Sequence, residues 1–294
     1  VCQDAGDIKF TVNQGSYTSD DGNSGTDNYG IPNTPLRGTL TMTKQGNGAP
    51  LSGVTFELQR KGDGDAWDTI AEGLVTGQSY AMNDGNTGLE GEPTAGSAGV
   101  ISVSNLMWGT YRFVETKSVP GYVGKTNGEQ IKSGEITINR DNVSGAVNAG
   151  TVVNDPTSLE INKRNDVGEV LAGAEFEVKP ADGSASHFAD PDNLVEGSYD
   201  AATNIITLTT DSTGCATLTG QLVVGGTYTI YESKAPTDYD PADGTLTITV
   251  ADDGSIELVG NMPERYEIQG VDGTNYDGLE PGAIIVTNLH EAIE

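Results

Sequence analysis

The chain has 294 residues, 35% of them hydrophobic, and its 43 acidic against 15 basic side chains give a formal charge of −28. Such a charge argues against nucleic acid, whose phosphates it would repel, and against docking on an anionic membrane; no run of 18 apolar residues offers a spanning helix. Forty glycines, abundant Thr, Val, Asp and Asn and few helical periods predict an all-β chain, long enough for two domains of ordinary size.

The chain begins mid-pattern without a leader segment, and it reads as a piece of a longer exported surface protein whose export signal and wall anchor lie elsewhere. Cys2 and Cys215 are too few for a disulfide framework and fall in separate units, which leaves their pairing open. Residues 1–35 hold one predicted strand, over 8–12. A Gly, Asn, Ser and Asp-rich run from Gly15 to Asn33 follows, expected as a linker, a long loop or the tail of a preceding domain.

A repeat then begins, expected to occupy 36–155 and 156–294. Leu40, Met42 and Lys44 alternate along a first strand that leads to a Leu-x-Gly-x-x-Phe segment ending at Phe56; Leu159, Ile161 and Lys163 alternate before the same segment ending at Phe176. Regions dense in Gly, Asp and Asn follow, over 61–99 and 181–211, expected as surface loops with short strands at 66–70 and 204–209. Strands over 99–103 and 215–218 precede a middle strand in which Tyr111, Phe113 and Glu115 share a face, as do Tyr228, Ile230 and Glu232. Each copy closes with one more strand. Val152 and Asn154 face together in the first, and Ile284, Val286 and Asn288 in the second.

Each copy therefore aims a lysine, a glutamate and an asparagine at an apolar face. The Lys-to-Glu spacing is nearly equal in the two copies, and the Glu-to-Asn spacing is longer in the second, an insertion that a loop absorbs. Burial lowers a lysine pKa and raises that of a carboxylic acid. A neutral amine is a nucleophile and a protonated glutamate a hydrogen-bond donor, so the amine could attack the asparagine carboxamide, release ammonia and leave a Lys–Asn isopeptide bond without any cofactor. The same residues also suit a buried Lys–Glu ion pair with an Asn hydrogen-bonded beside it, an arrangement that seldom improves on apolar packing. Recurrence of all three residue types in the same order and facing favours the cross-link.

At these residues the chain resembles the Cna B-type (SpaA-like), immunoglobulin-related domains of Gram-positive surface adhesins and sortase-assembled pilins. That family carries a strand ending in Lys, a Leu-x-Gly-Ala-x-Phe segment, the E-box Tyr-x-Leu-x-Glu-Thr-x-Ala-Pro-x-Gly-Tyr and a final Asn strand. The first copy matches the E-box at Tyr111, Glu115, Thr116, Gly121 and Tyr122, and the second at Tyr228, Glu232, Ser233, Ala235, Pro236 and Tyr239. The resemblance implies tandem immunoglobulin-like β-sandwiches. It also implies isopeptide triads Lys44–Glu115–Asn154 and Lys163–Glu232–Asn288, with Glu115 and Glu232 in the catalytic role.

The expected function is thus a structural stalk on a Gram-positive cell surface, held to a cell wall and joined to neighbouring domains of a larger surface protein or pilus. It is not an enzyme on external substrates. The alternative is an adhesive module that binds a host matrix protein or glycan through the insertions at 61–99 or 181–211. Other signals are weaker. Asp63, Asp65 and Asp182 are expected in solvated turns rather than calcium loops, His187 and His290 read as isolated, Trp67 is a candidate sugar platform, and Trp108 is expected in core or strand-end packing.

Overall fold

The computed structural model describes residues 10–18, 24–31, 36–126, 128–181, 187–271 and 273–290. Strands dominate, and among the described residues a 3₁₀ turn lies at Asp63–Asp65. Among the described residues no helix is long and apolar enough to cross a membrane.

Two β-sandwiches follow one another along the chain, each with its own hydrophobic core. In the first, the lysine strand Gly38–Gly46 lies between the asparagine strand Ala146–Asn154 and Val100–Leu106, beyond which come Gln78–Ala81 and Thr94–Ala95. The facing sheet holds Ile136–Ile138, the glutamate strand Gly109–Lys117, Thr55–Lys61 and Trp67–Val75. Alternation places Leu40, Met42, Tyr111 and Phe113 between the sheets with Phe56, whose ring meets Phe113 edge to face.

The second sandwich repeats the plan. Its lysine strand Ser158–Asn165 lies between Cys215–Thr219 and the asparagine strand Ile284–His290. The opposing sheet runs Ser198–Asp200, Ile205–Thr209, Glu175–Pro180, the glutamate strand Thr227–Lys234, Leu246–Val250 and Ile256–Leu258.

First and last strands pair in parallel in both copies, with the same register. Lys44 lies opposite Val152 and Gly46 opposite Asn154; Lys163 lies opposite Val286 and Asn165 opposite Asn288. Lysine and asparagine are therefore neighbours within one sheet, and the glutamate reaches them from the other. A bulge follows the glutamate in each copy, at Thr116 against Thr55–Phe56 and at Ser233 against Glu175–Phe176. It leaves one residue unpaired and bends the strand. The hydroxyls of Thr116 and Ser233 donate to the carbonyls of Thr55 and Glu175, both at 3.2 Å, which satisfies acceptors that the bulge frees from the ladder. This gives the hydroxyl residue after each glutamate a structural reason.

Backbone hydrogen bonds and an ion pair join the sandwiches. Tyr122 bridges Pro156, Thr157 N donates to Gly121 O at 2.9 Å, and Gly124 N and Lys125 N both donate to Asp252 O. An ion pair of 2.7 Å joins Lys125 to Asp252. The end of the first E-box therefore rests on the second sandwich.

Several expectations need correction. The run from Gly15 to Asn33, expected as a linker, a long loop or the tail of a preceding domain, is not an unpaired loop: it contains the strand Ser24–Ile31, which pairs antiparallel with Phe10–Thr18. Hairpin pairing uses backbone groups, so a polar sequence rich in Thr, Asn and Tyr supports it without an apolar stripe. Of the predicted strand at 8–12, Ile8 and Lys9 lie outside the described residues, as does Cys2. Trp108 is 41% exposed at the turn into the glutamate strand, because Leu106 and Tyr111 already fill the core on either side. Trp67 carries the Arg112 guanidinium 4.1 Å from its ring centroid, so a cation covers the face a sugar would need. His290 is not isolated: its ring lies 3.2 Å from Asp166 Oδ1 and 3.0 Å from Tyr239 Oη.

Candidate functional site

Strand alternation is what buries Lys44. The strand Gly38–Gly46 alternates buried and half-buried residues without a break, and Lys44 occupies the next inward position after Leu40 and Met42 at 0% exposure. Glu115 follows Tyr111 and Phe113 inward, and Asn154 follows Val152. Lys163, Glu232 and Asn288 reach the second core in the same way.

In the first sandwich the three side chains meet. Lys44 Nζ donates to Asn154 Oδ1 and lies 3.4 Å from Glu115 Oε2. Asn154 Nδ2 donates to Glu115 Oε1 at 2.7 Å and to Ser118 Oγ at 2.9 Å. One carboxyl thus spans the amine and the amide nitrogen, with an oxygen toward each. Glu115 Oε2 makes no hydrogen bond among the described residues.

The second sandwich gathers the same residues in a looser arrangement. Asn288 Nδ2 donates to Glu232 Oε1 at 2.9 Å, but Lys163 Nζ donates to the backbone carbonyl of Val286 at 2.9 Å and stands 3.9 Å from Glu232 Oε1. Asn288 Oδ1 is buried without a hydrogen bond among the described residues. Glu232 Oε2 accepts the backbone N–H of Ala242 at 2.7 Å, and Glu232 N donates to Tyr266 Oη at 3.2 Å.

Desolvation dominates the electrostatics of both sites. It lowers Lys44 against the opposing pull of Glu115, and it lowers Lys163 to about 8. It also holds Glu115 and Glu232 above the usual carboxylate range, although each faces a lysine and an amide N–H that favour the charged form. Both shifts favour a neutral amine beside a protonated acid. Burial also pushes the Tyr266 hydroxyl up to about 12, so it stays protonated at Glu232.

Ser118, Ala242 and Tyr266 were not found by reading the sequence. Ser118 lies beyond the bulge, where alternation no longer applies, and Ala242 contributes only its backbone. Tyr266 sits in a three-residue strand, Tyr266–Ile268, too short to announce its facing. Among the described residues no cluster of His, Cys, Asp and Glu has the geometry of a metal site; Asp65 of the 63–65 turn pairs with Lys61 at 2.9 Å, and Asp182 lies outside the described residues.

Two sandwiches in tandem, each with parallel first and last strands and a buried Lys, Glu and Asn, define a class of immunoglobulin-like surface domain. The family model of the SpaA prealbumin-like fold domain matches residues 38–150 and again 157–262, more than half of the chain, and the chain belongs to that family. Domains of this family are structural parts of pilins and adhesins rather than enzymes.

Among solved structures, the Bacillus anthracis TIE protein is similar at 17% identity and a TM-score of 0.37, over 96% of this chain and 42% of that one. This chain thus spans well under two thirds of that protein's length. A streptococcal ancillary pilin is similar at 17% identity and a TM-score of 0.33, over 98% of this chain and 76% of that one. A C-terminal fragment of the pilus adhesin SpaC from Lactobacillus rhamnosus GG is similar at 17% identity and a TM-score of 0.37, over 88% of this chain and 99% of the fragment. A search of curated proteins returns no match.

Proposed function

We propose that this chain is a stalk segment of a Gram-positive surface adhesin or pilin, and that each sandwich is locked by an isopeptide bond it makes itself, Lys44 to Asn154 and Lys163 to Asn288. The observation that carries this reading is the convergence of the same three polar residue types in both apolar cores, where a passive ion pair would cost more than it returns.

The chemistry needs nothing but the three side chains. The neutral amine of Lys44 attacks Cγ of Asn154, and a new C–N bond forms. Glu115 takes the surplus proton of the amine through the oxygen facing Nζ and delivers a proton through the oxygen facing Nδ2. The carbon–nitrogen bond to Nδ2 then breaks and ammonia leaves. Lysine and carboxamide become one secondary amide plus ammonia, with the carboxyl group regenerated. Holding the reactants in adjacent strands removes the entropic cost of bringing them together. Glu232 has the same part between Lys163 and Asn288.

Such a bond ties the first strand to the last, so each sandwich resists unzipping when its ends are pulled. The partners of the segment are neighbouring domains of the same surface protein and other pilus subunits, and its place is the outer face of a cell wall. The test is the intact mass of the purified chain. Two bonds remove two ammonia molecules, about 34 Da below the mass calculated from the sequence. An unshifted mass would refute both, and a deficit of about 17 Da would leave one.

A further inference from the structure

Among the side chains by which the two triads differ is one that takes no part in the bond and touches the reacting amide. Ser118 stands three residues after Glu115, and the residue three after Glu232 is Ala235. In the first sandwich both hydrogens of Asn154 Nδ2 are engaged, one by Glu115 and the other by Ser118 Oγ, and Oδ1 is left to Lys44. The carboxamide is held at all three polar positions. In the second sandwich one hydrogen of Asn288 Nδ2 is engaged by Glu232, Oδ1 has no hydrogen bond among the described residues, and the Lys163 amine is held by the Val286 carbonyl.

We propose that Ser118 is a positioning residue that fixes the Asn154 carboxamide with its nitrogen toward Glu115 and its oxygen toward Lys44, so that the first sandwich cross-links ahead of the second. The proposal rests on the isopeptide reading above. A carboxamide with its nitrogen pinned by two acceptors does not rotate, and its leaving group stays against the proton carrier. Asn288, pinned once, samples other orientations, and Lys163 must first leave a backbone carbonyl 2.9 Å away. One hydrogen bond to the reacting amide accounts for about a tenfold difference in rate.

The experiment uses the full chain recovered unfolded in denaturant, where neither triad is assembled, and refolded by dilution. Samples are quenched in acid at intervals and digested, and each bond is followed by its own cross-linked peptide, about 17 Da lighter than the sum of its parts. Circular dichroism at the same times separates slow folding from slow bond formation. We expect the Lys44–Asn154 peptide to appear about tenfold sooner than the Lys163–Asn288 peptide. Ser118→Ala should slow the first about tenfold without changing the second, Ser118→Thr should restore it, and Ala235→Ser should speed the second. Equal rates in the parent chain, or an unchanged rate in Ser118→Ala, overturn the role of Ser118 while leaving the cross-links standing. Absence of both peptides from the parent overturns the isopeptide reading and this proposal with it.

Discussion

Gly121 of the first sandwich packs directly on the backbone of Gly220 in the second: a Cβ on Gly121 would lie 2.3 Å from the Gly220 carbonyl oxygen. The residue also has φ of +83°, a conformation that L side chains rarely adopt. Its counterpart in the second copy is Asp238, with φ of +71°, where only the backbone constraint applies. Asp tolerates that conformation, but no side chain tolerates the contact made by Gly121. Gly121→Ala should therefore loosen the joint and spare both sandwiches. Small-angle scattering should show a larger radius of gyration, and limited proteolysis should cut near 155–157 where the parent resists. Unchanged scattering would mean that the two sandwiches are not held by this contact.

Glu115→Ala and Glu232→Ala should each recover about 17 Da, once the substitution itself is allowed for, and the double variant about 34 Da. The first bond would close a loop of 110 residues, and constraining an unfolded loop of that length is worth about 5 kcal/mol. For a domain of this size that corresponds to a fall in Tm of about 20 °C per bond. Differential scanning calorimetry on each variant would resolve the two sandwiches separately. A full fall in Tm without any change in mass would show that the glutamates stabilise the cores by a means other than the bond.

The facing of the six triad residues was legible because a strand has a period of two. Once Leu40 and Met42 are inside, Lys44 must be inside, and the same reasoning carries Glu115 after Phe113 and Asn154 after Val152. Where that period stops, so does legibility. The bulge at Thr116 breaks the alternation just before Ser118, and the contact of Ala242 with Glu232 is made by an N–H that every residue but proline carries. The hairpin of Phe10–Thr18 and Ser24–Ile31 was missed because its pairing lies in backbone groups and not in side-chain pattern. The approach of Asp166, Tyr239 and His290 is set by long-range topology, which spacing along the chain does not encode.

The pH dependence of the second bond tests whether Glu232 donates a proton. The reactive state pairs a neutral Lys163 with a protonated Glu232, and it holds the same single proton as the ion pair. Between the raised pKa of Glu232 and the Lys163 value of about 8, that proton count is constant and the rate should be flat. At lower pH a second proton ties up the amine and the rate falls. Above about pH 8 the pair loses its proton and the rate falls again, about tenfold per pH unit. Refolding at a series of pH values, with the Lys163–Asn288 peptide as readout, should give this bell. A rate that climbs through pH 8 and then levels off would show the amine titrating alone, with no proton required from Glu232.

Force applied along the chain supplies a test in a different currency. Because the lysine and asparagine strands run parallel, tension enters the first sandwich at the start of one strand and leaves at the end of its neighbour, which loads the ladder between them in shear. With the bond in place, tension passes from Lys44 across the amide to Asn154 and on through Asp155 to the second sandwich, and the 109 residues between them carry none of it. The parent chain, tethered by its termini in a single-molecule instrument, should then show no unfolding step from either sandwich. Glu115→Ala should add one step, whose length follows from the extended reach of the released chain: 110 residues give roughly 38 nm. Glu232→Ala should add a step of comparable length from the other sandwich. A step of that length in the parent chain would mean that tension reaches an enclosed loop, and hence that at least one of the two covalent paths is missing.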